Sequence, residues 1–211
     1  MAANPQQVEK LLAALQDRPG LPPLSPKRLY SHAVDRDIAA YHDGLDLKFR
    51  SSAEGHALTA ALYLANDNLD LAHKLVQTHE GHPTCDWVHA IVHRREGDYS
   101  NSKYWVRRVG AHPAYHGLQA RATRLLDEEG VPKAASGSLA TALDKIRTQG
   151  EWNGYLFVDA VSMQESGDGD DESRRLLERL QHLEWQCLMR YLNGLLRLDG
   201  RPEEQRHESG G

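Results

Sequence analysis

The sequence predicts an all-α protein, built of helical hairpins in a tetratricopeptide-like or irregular helical array. Three observations carry that expectation. Apolar residues recur at i, i+3, i+4 and i+7 along nearly the whole chain, the period of a helix with one buried face. Short polar breaks at 66–68, 81–83 and 97–98 divide the pattern into segments of helical length. The one segment rich in strand formers, 152–163 with Tyr155, Phe157, Val158 and Val161, has no second strand to pair with, so it too reads as a helix.

Taken in order, Val8, Leu11, Leu12 and Leu15 give the first helix its apolar stripe. Glu9 and Asp17 make segment 1–18 an amphipathic helix rather than a signal peptide. Four prolines and Gly20 in 19–26 cannot continue it and read as a linker. The expected organisation is therefore a helix and linker over 1–26, an all-helical domain over 27–200, and a polar, disordered tail over 201–211.

Val34, Ile38, Tyr41 and Leu45 form the next stripe, with Gly44 placed to end it. Ser51 and Glu54 have the spacing of a capping box, opening a helix with Leu58, Ala61, Leu62 and Ala65. Three further stripes follow: Leu69, Ala72, Leu75 and Val76; Trp87, Val88, Ile91 and Val92; Tyr99, Ser102, Val106 and Val109. These four helices read as one αα-hairpin repeated, since Ala60 to Asp70 aligns with Ala90 to Ser100 at an offset of 30 positions. Leu118, Ala122, Leu125 and Leu126 mark another helix. Leu139, Leu143 and Ile146 mark the next, with Ser136 or Ser138 as its N-cap. A last helix over 172–196 carries Leu176, Leu180, Leu183, Cys187, Leu188, Tyr191 and Leu195. The acidic segment 167–171 fails as a calcium loop, because Ser173 and Arg179 stand where the glycine and glutamate belong; it reads as a solvated loop.

A chain of 211 residues suffices for one domain with a sizeable core. Its formal charge of −5 argues against a general attraction to nucleic acid or anionic membranes. No apolar run approaches the roughly 20 residues that span a bilayer. Cys85 and Cys187 lack CxxC spacing and read as reduced core thiols, which makes a cytoplasmic location the expectation.

The chemistry concentrates between 89 and 116, where five Lys or Arg residues face two acids in an otherwise acidic chain. At about 100° per residue, His89, His93 and Glu96 fall on one narrow stripe, opposite Trp87, Val88, Ile91 and Val92. That stripe faces solvent or a groove made by later elements. Asn101, Tyr104 and Arg108 form an adjacent polar stripe on the following helix. Three readings compete. The residues are solvated surface, with Arg107 and Arg108 paired to nearby acids. Or they line a groove for an anionic or polar small ligand, held by Arg94, Tyr104, Arg107, Arg108 and His112, with His89, His93 and Glu96 available for general-base catalysis. Or the His-x3-His pair holds zinc or iron, completed by Glu96 or His112, against which stand the missing glutamate of HExxH and the nearby arginines. The groove is the leading expectation, and no cofactor is named by it. A helical-repeat surface binding a protein segment, lined by Tyr63, His93 and Tyr104, is the alternative from a different class.

The string HAIVHRREGDYSNSKYWVRRVGAHP, from His89 to Pro113, resembles a functionally uncharacterised family of bacterial and fungal proteins. Its recurring core is close to W-H-A-I-x-H-R-R-E-x-D-Y-x-N-A-K-Y-W-x-R-R-V-G-x-H-P. Trp152-Asn153, Phe157-Val158-Asp159 and Leu183-Glu184-Trp185-Gln186 extend the resemblance over the chain from about residue 50 onward. Val88, Ser102 and Gly154 depart from the pattern, where an aromatic residue, alanine and proline are usual. The resemblance implies a site spanning His89, His93, Arg94, Arg95, Glu96, Asp98, Asn101, Lys103, Tyr104, Trp105, Arg107, Arg108 and His112. It implies no particular reaction.

Overall fold

The computed structural model describes residues 5–132 and 137–199, and over them the chain is all-α. Eleven helices follow one another among the described residues: α1 (Pro5–Gln16), α2 (His32–Gly44), α3 (Leu47–Arg50), α4 (Ala53–Ala65), α5 (Leu69–Val76), α6 (Pro83–Glu96), α7 (Tyr99–Val109), α8 (Pro113–Glu129), α9 (Gly137–Thr148), α10 (Gly154–Met163) and α11 (Asp171–Asp199). Within the segment 152–163 a helix forms over Gly154–Met163, in place of the strand its composition allowed. The tail 201–211 and the proposed cap Ser136 lie outside the described residues; Ser138 lies inside α9.

Short polar residues start the helices by accepting a backbone N–H that the first turn leaves free. Ser31, Asp46, Asn68, Asp98 and Asn153 all do so. One cap differs from expectation. Ser52, not Ser51, caps α4, accepting from the Gly55 N–H at 3.1 Å. The unforeseen one-turn helix α3 accounts for the shift, because Ser51 ends it by donating to the Leu47 carbonyl. Gly55 has no freedom to vary here, since a Cβ would run into the Phe49 carbonyl.

Helix α4 packs on α5, α6 on α7, and α5 on α6, so the two hairpins lie side by side. Later helices depart from a simple stack. Helix α10 packs on α7 and α9, while the long α11 packs on α8 and returns to α4, contacts that a one-dimensional array does not make. One hydrophobic core runs from Val8 to Leu192. The N-terminal segment belongs to it rather than standing apart: Val8, Leu11, Leu15 and Leu24 are buried. The Pro-rich segment is held by its carbonyls, with Gln181 donating to Pro23 at 3.1 Å and Arg95 donating to the same oxygen at 3.2 Å.

The acidic segment is solvated, with Gly167, Asp168 and Asp171 exposed, and it is also ordered. Residues 164–168 form a wide helical turn closed by Gly167 at φ +96°, a left-handed conformation that glycine adopts without strain. Buried Ser173 locks it, donating to Gln164 Oε1 at 2.7 Å and accepting from the Asp170 N–H at 2.8 Å.

Candidate metal centre

Helices α5, α6 and α7 enclose the polar stripe read from the sequence. Helix α6 begins at Pro83, where Gly81 at φ +91° turns the chain and donates its N–H to Asp86 Oδ1. It ends at Gly97, at φ +86°, and Asp98 at once caps α7. This tight turn folds α7 back along α6, and Ser102 fastens the two by donating to the Ala90 carbonyl at 2.7 Å.

His89 and His93 are buried, one helical turn apart, with near-parallel rings whose centroids lie 5.4 Å apart. Trp105 of α7 covers the outer face of His89, stacked at 3.9 Å. The third side chain comes from α5: His73 meets His89 at 4.6 Å and His93 at 5.0 Å, edge-on to both. One ligating nitrogen from each of the three imidazoles lies within 4.8 Å of the others. A tetrahedral zinc ion, with Zn–N bonds near 2.0–2.1 Å, needs such nitrogens about 3.3 Å apart. Side-chain rotations that close separations of up to about 1.5 Å are the adjustment required.

Hydrogen bonding around the cluster is uneven. His93 Nδ1 lies 3.0 Å from Glu96 Oε2, and its Nε2 lies 3.3 Å from the amide nitrogen of Asn101. A carboxylate on Nδ1 fixes the proton there and turns the Nε2 lone pair toward the Asn101 amide N–H, a contact that an ion would have to displace; carboxylate-held Nδ1 is the arrangement that orients metal-bound histidines. His89 Nδ1 is buried without a hydrogen-bond partner, as is the indole nitrogen of Trp105. An orphaned buried polar atom is costly to keep, because water has been removed and nothing replaces it. Burial, reinforced by His73, His93 and Arg108, pushes His89 down to about 3. Burial also lowers His93, against the opposing pull of Glu96. Both imidazoles are therefore neutral near pH 7, the form that donates a lone pair to a metal.

The structure brings together His89, His93 and Glu96 of the expected set, gathers Tyr104, Arg107 and Arg108 on one another beside Trp105, and separates Arg94 and His112 from both. Tyr104 is exposed beside Trp105 and accepts from Arg108 at 3.3 Å. Arg108 also reaches Asp86 at 3.4 Å and lies over the Trp105 ring. Arg107 is exposed and passes over Tyr104. Arg94, expected to hold an anion, is already engaged within the core. It is buried, paired with Glu184 at 2.5 Å and stacked on Phe157. His112 is likewise committed elsewhere: its Nδ1 caps α8 by accepting from Ala114, and its Nε2 meets Thr84 at 3.2 Å. Tyr63, the expected wall of a protein-binding groove, is buried.

The groove was expected against later elements, and α5, an earlier one, closes it. His73 was missed for that reason, since nothing in its own segment marks it and only the packing of α5 on α6 brings it into reach. Compared with known proteins, the chain matches no family model, no curated protein and no solved structure.

Proposed function

We propose that this protein binds a divalent transition metal, zinc or iron(II), on His73, His89 and His93. The carrying observation is the convergence of three imidazoles from two helices, one of which keeps a buried nitrogen without a partner. Imidazole suits zinc and iron alike, and carboxylate-poor ligation disfavours magnesium or calcium. Glu96 is the positioning residue, holding the His93 ring in the tautomer that presents Nε2. Three neutral ligands leave the ion its full charge and at least one open position. With Arg108 nearby, that position favours an anionic or polar group, so the small ligand anticipated from the sequence is retained as the metal's partner. When bound, the ion would supply Lewis acidity to whatever occupies the open position.

The arginine-held anion reading loses support with Arg94 committed to Glu184. The test is elemental analysis of natively purified protein, followed by calorimetric titration of chelator-treated protein with Zn2+ and Fe2+. About one equivalent is expected to bind, with His73→Ala weakening affinity at least about 100-fold. His73 is only half-buried, so its replacement separates ligand loss from loss of folding. Absence of binding in the wild-type protein, or undiminished binding in His73→Ala, overturns the proposal.

A further inference from the structure

Away from the histidines, α8 and α11 border an open groove of about 750 Å3. Arg121 and Arg124 line it from α8, and Arg179 and Arg190 line it from α11. The pattern follows from helix geometry. Arg179, His182, Gln186 and Arg190 recur at three- and four-residue spacing, so they share one face of α11, and Arg121 and Arg124 stand one turn apart on α8. Arg190 lies eleven positions after Arg179, which sets the groove's length at about 16 Å.

The electrostatics of this face run against those of the chain, whose formal charge is −5. Four guanidiniums meet a single lining carboxylate, Glu128, and only Arg179 is paired, with Glu129 at 2.5 Å. Among the described residues, Arg121, Arg124 and Arg190 make no ion pair, which is also true of Arg28, Arg36, Arg50, Arg107 and Arg175; what sets these three apart is that they line one groove together. Like charges gathered along one groove repel one another, and an anion bridging them relieves that repulsion. The volume is in the range of small-molecule sites, and guanidinium forks match phosphate oxygens two at a time.

We propose that the groove between α8 and α11 binds a small molecule carrying two or more phosphate groups. One phosphate would satisfy one or two of these arginines; the spacing of the four calls for several anionic groups along one ligand. This site shares no residue with the histidine cluster.

Inorganic tripolyphosphate is the probe, titrated calorimetrically into the full-length protein at about 50 and about 200 mM salt. Saturable one-to-one binding that weakens as salt rises is expected. The double variant Arg121→Ala, Arg124→Ala should lose at least about tenfold in affinity with an unchanged melting temperature. Arg36→Ala, which removes an exposed charge from α2, should bind as the wild type does. His73→Ala should also retain binding, which sets aside chelation of a bound metal by the probe. No saturable binding, or equal loss in Arg36→Ala, overturns the site. Tighter binding of a short poly-glutamate peptide than of tripolyphosphate overturns the assignment to phosphate.

Discussion

Helix α6 buries two arginines and two histidines within seven positions, from His89 to Arg95, and it treats them differently. Arg94 lies between Glu184, Trp87 and Phe157, and the same carboxylate accepts from Trp87 Nε1 at 3.1 Å. Arg95 reaches Asp67 and the Leu64 carbonyl, both at 2.5 Å, and Arg18 holds the other oxygen of Asp67 at 2.9 Å. Each buried charge is met by an opposite charge, although the Nε of each guanidinium has no hydrogen-bond partner. His89, one turn earlier, keeps a buried nitrogen with no partner, and His93 has its lone pair facing a weakly placed amide. Side chains closed by an ion pair belong to the architecture; the imidazoles, open in that sense, hold capacity for a ligand. Residue type alone does not separate the two classes, since the arginines looked as available as the histidines.

The sharpest way to break this comparison is to open a closed group. Glu184→Ala leaves the Arg94 guanidinium buried without a counter-charge and Trp87 Nε1 without an acceptor. Removing one partner of a buried pair costs about 3–5 kcal/mol, a large fraction of the stability of a domain this size. Urea unfolding of the variant should show that loss. A change below about 1 kcal/mol would mean that Arg94 finds water or another partner, and the distinction between closed and open would fail on the arginine side.

Next in size is the acid response of a closed histidine. His112 is buried, accepting from Ala114 at Nδ1, and burial pushes it down to about 4. Its unfolded value is near 6.5. Above that pH the ring is neutral in both states and costs nothing. Between about 6.5 and about 4 the unfolded chain takes up the proton first, so stability falls as pH falls and levels off below. The full difference amounts to about 3 kcal/mol. His112→Asn keeps a capping acceptor without the titrating ring. It should flatten the decline between pH 7 and 4, measured by urea unfolding at a series of pH values. An unchanged slope would assign the acid sensitivity to other groups.

The same contrast explains what was legible in the sequence. The stripe of His89, His93 and Glu96 follows from spacing on one helix, because i, i+4 and i+7 share a face whatever the tertiary structure. The helix ends at 83, 96, 99 and 109 were legible for the same local reason, with Pro83, Gly97 and Asp98 marking them. Pairing was not. Glu184 lies 90 positions from Arg94, and Asp67 lies 28 positions from Arg95, so nothing near either arginine announced its partner. His73 was invisible as a site residue because its role depends on how α5 lies against α6. The prolines at 19–26 broke the helix as expected, but their carbonyls became acceptors for Arg95 and Gln181, which composition does not reveal.

On the open side, Glu96 gives a test free of folding effects, since it is exposed at the end of α6. Glu96→Gln keeps the side chain's shape and removes the charge that fixes the His93 tautomer. Loss of such a partner weakens metal affinity by about 10–100-fold. Titration of chelator-treated protein with Zn2+ should show this, with the melting temperature unchanged. Equal affinity in the variant would place the acid outside the site and reduce its contact with His93 to an ordinary surface pair.

The smallest effect comes from a buried polar group whose removal leaves nothing unanswered. Ser102 is fully buried and donates to the Ala90 carbonyl. Unlike Glu184, it has a partner with another bond: a mid-helix carbonyl already accepts from the residue four positions on. Ser102→Ala removes one hydrogen bond worth about 1 kcal/mol, while alanine's better helix propensity returns up to about half of that. A net loss of about 0.5–1 kcal/mol in urea unfolding is the expected result. The ordering matters more than the value. Glu184→Ala and Ser102→Ala both delete one buried acceptor or donor between neighbouring elements, and only the first strands a charge. If the two variants lose comparable stability, the cost lies in packing lost at those positions. If they differ by several-fold, it lies in the unanswered guanidinium, and charge pairing is then what separates the arginines of α6 from His89: each guanidinium has a buried Nε without a hydrogen-bond partner but meets a carboxylate, whereas the open nitrogen of His89 has no charged partner.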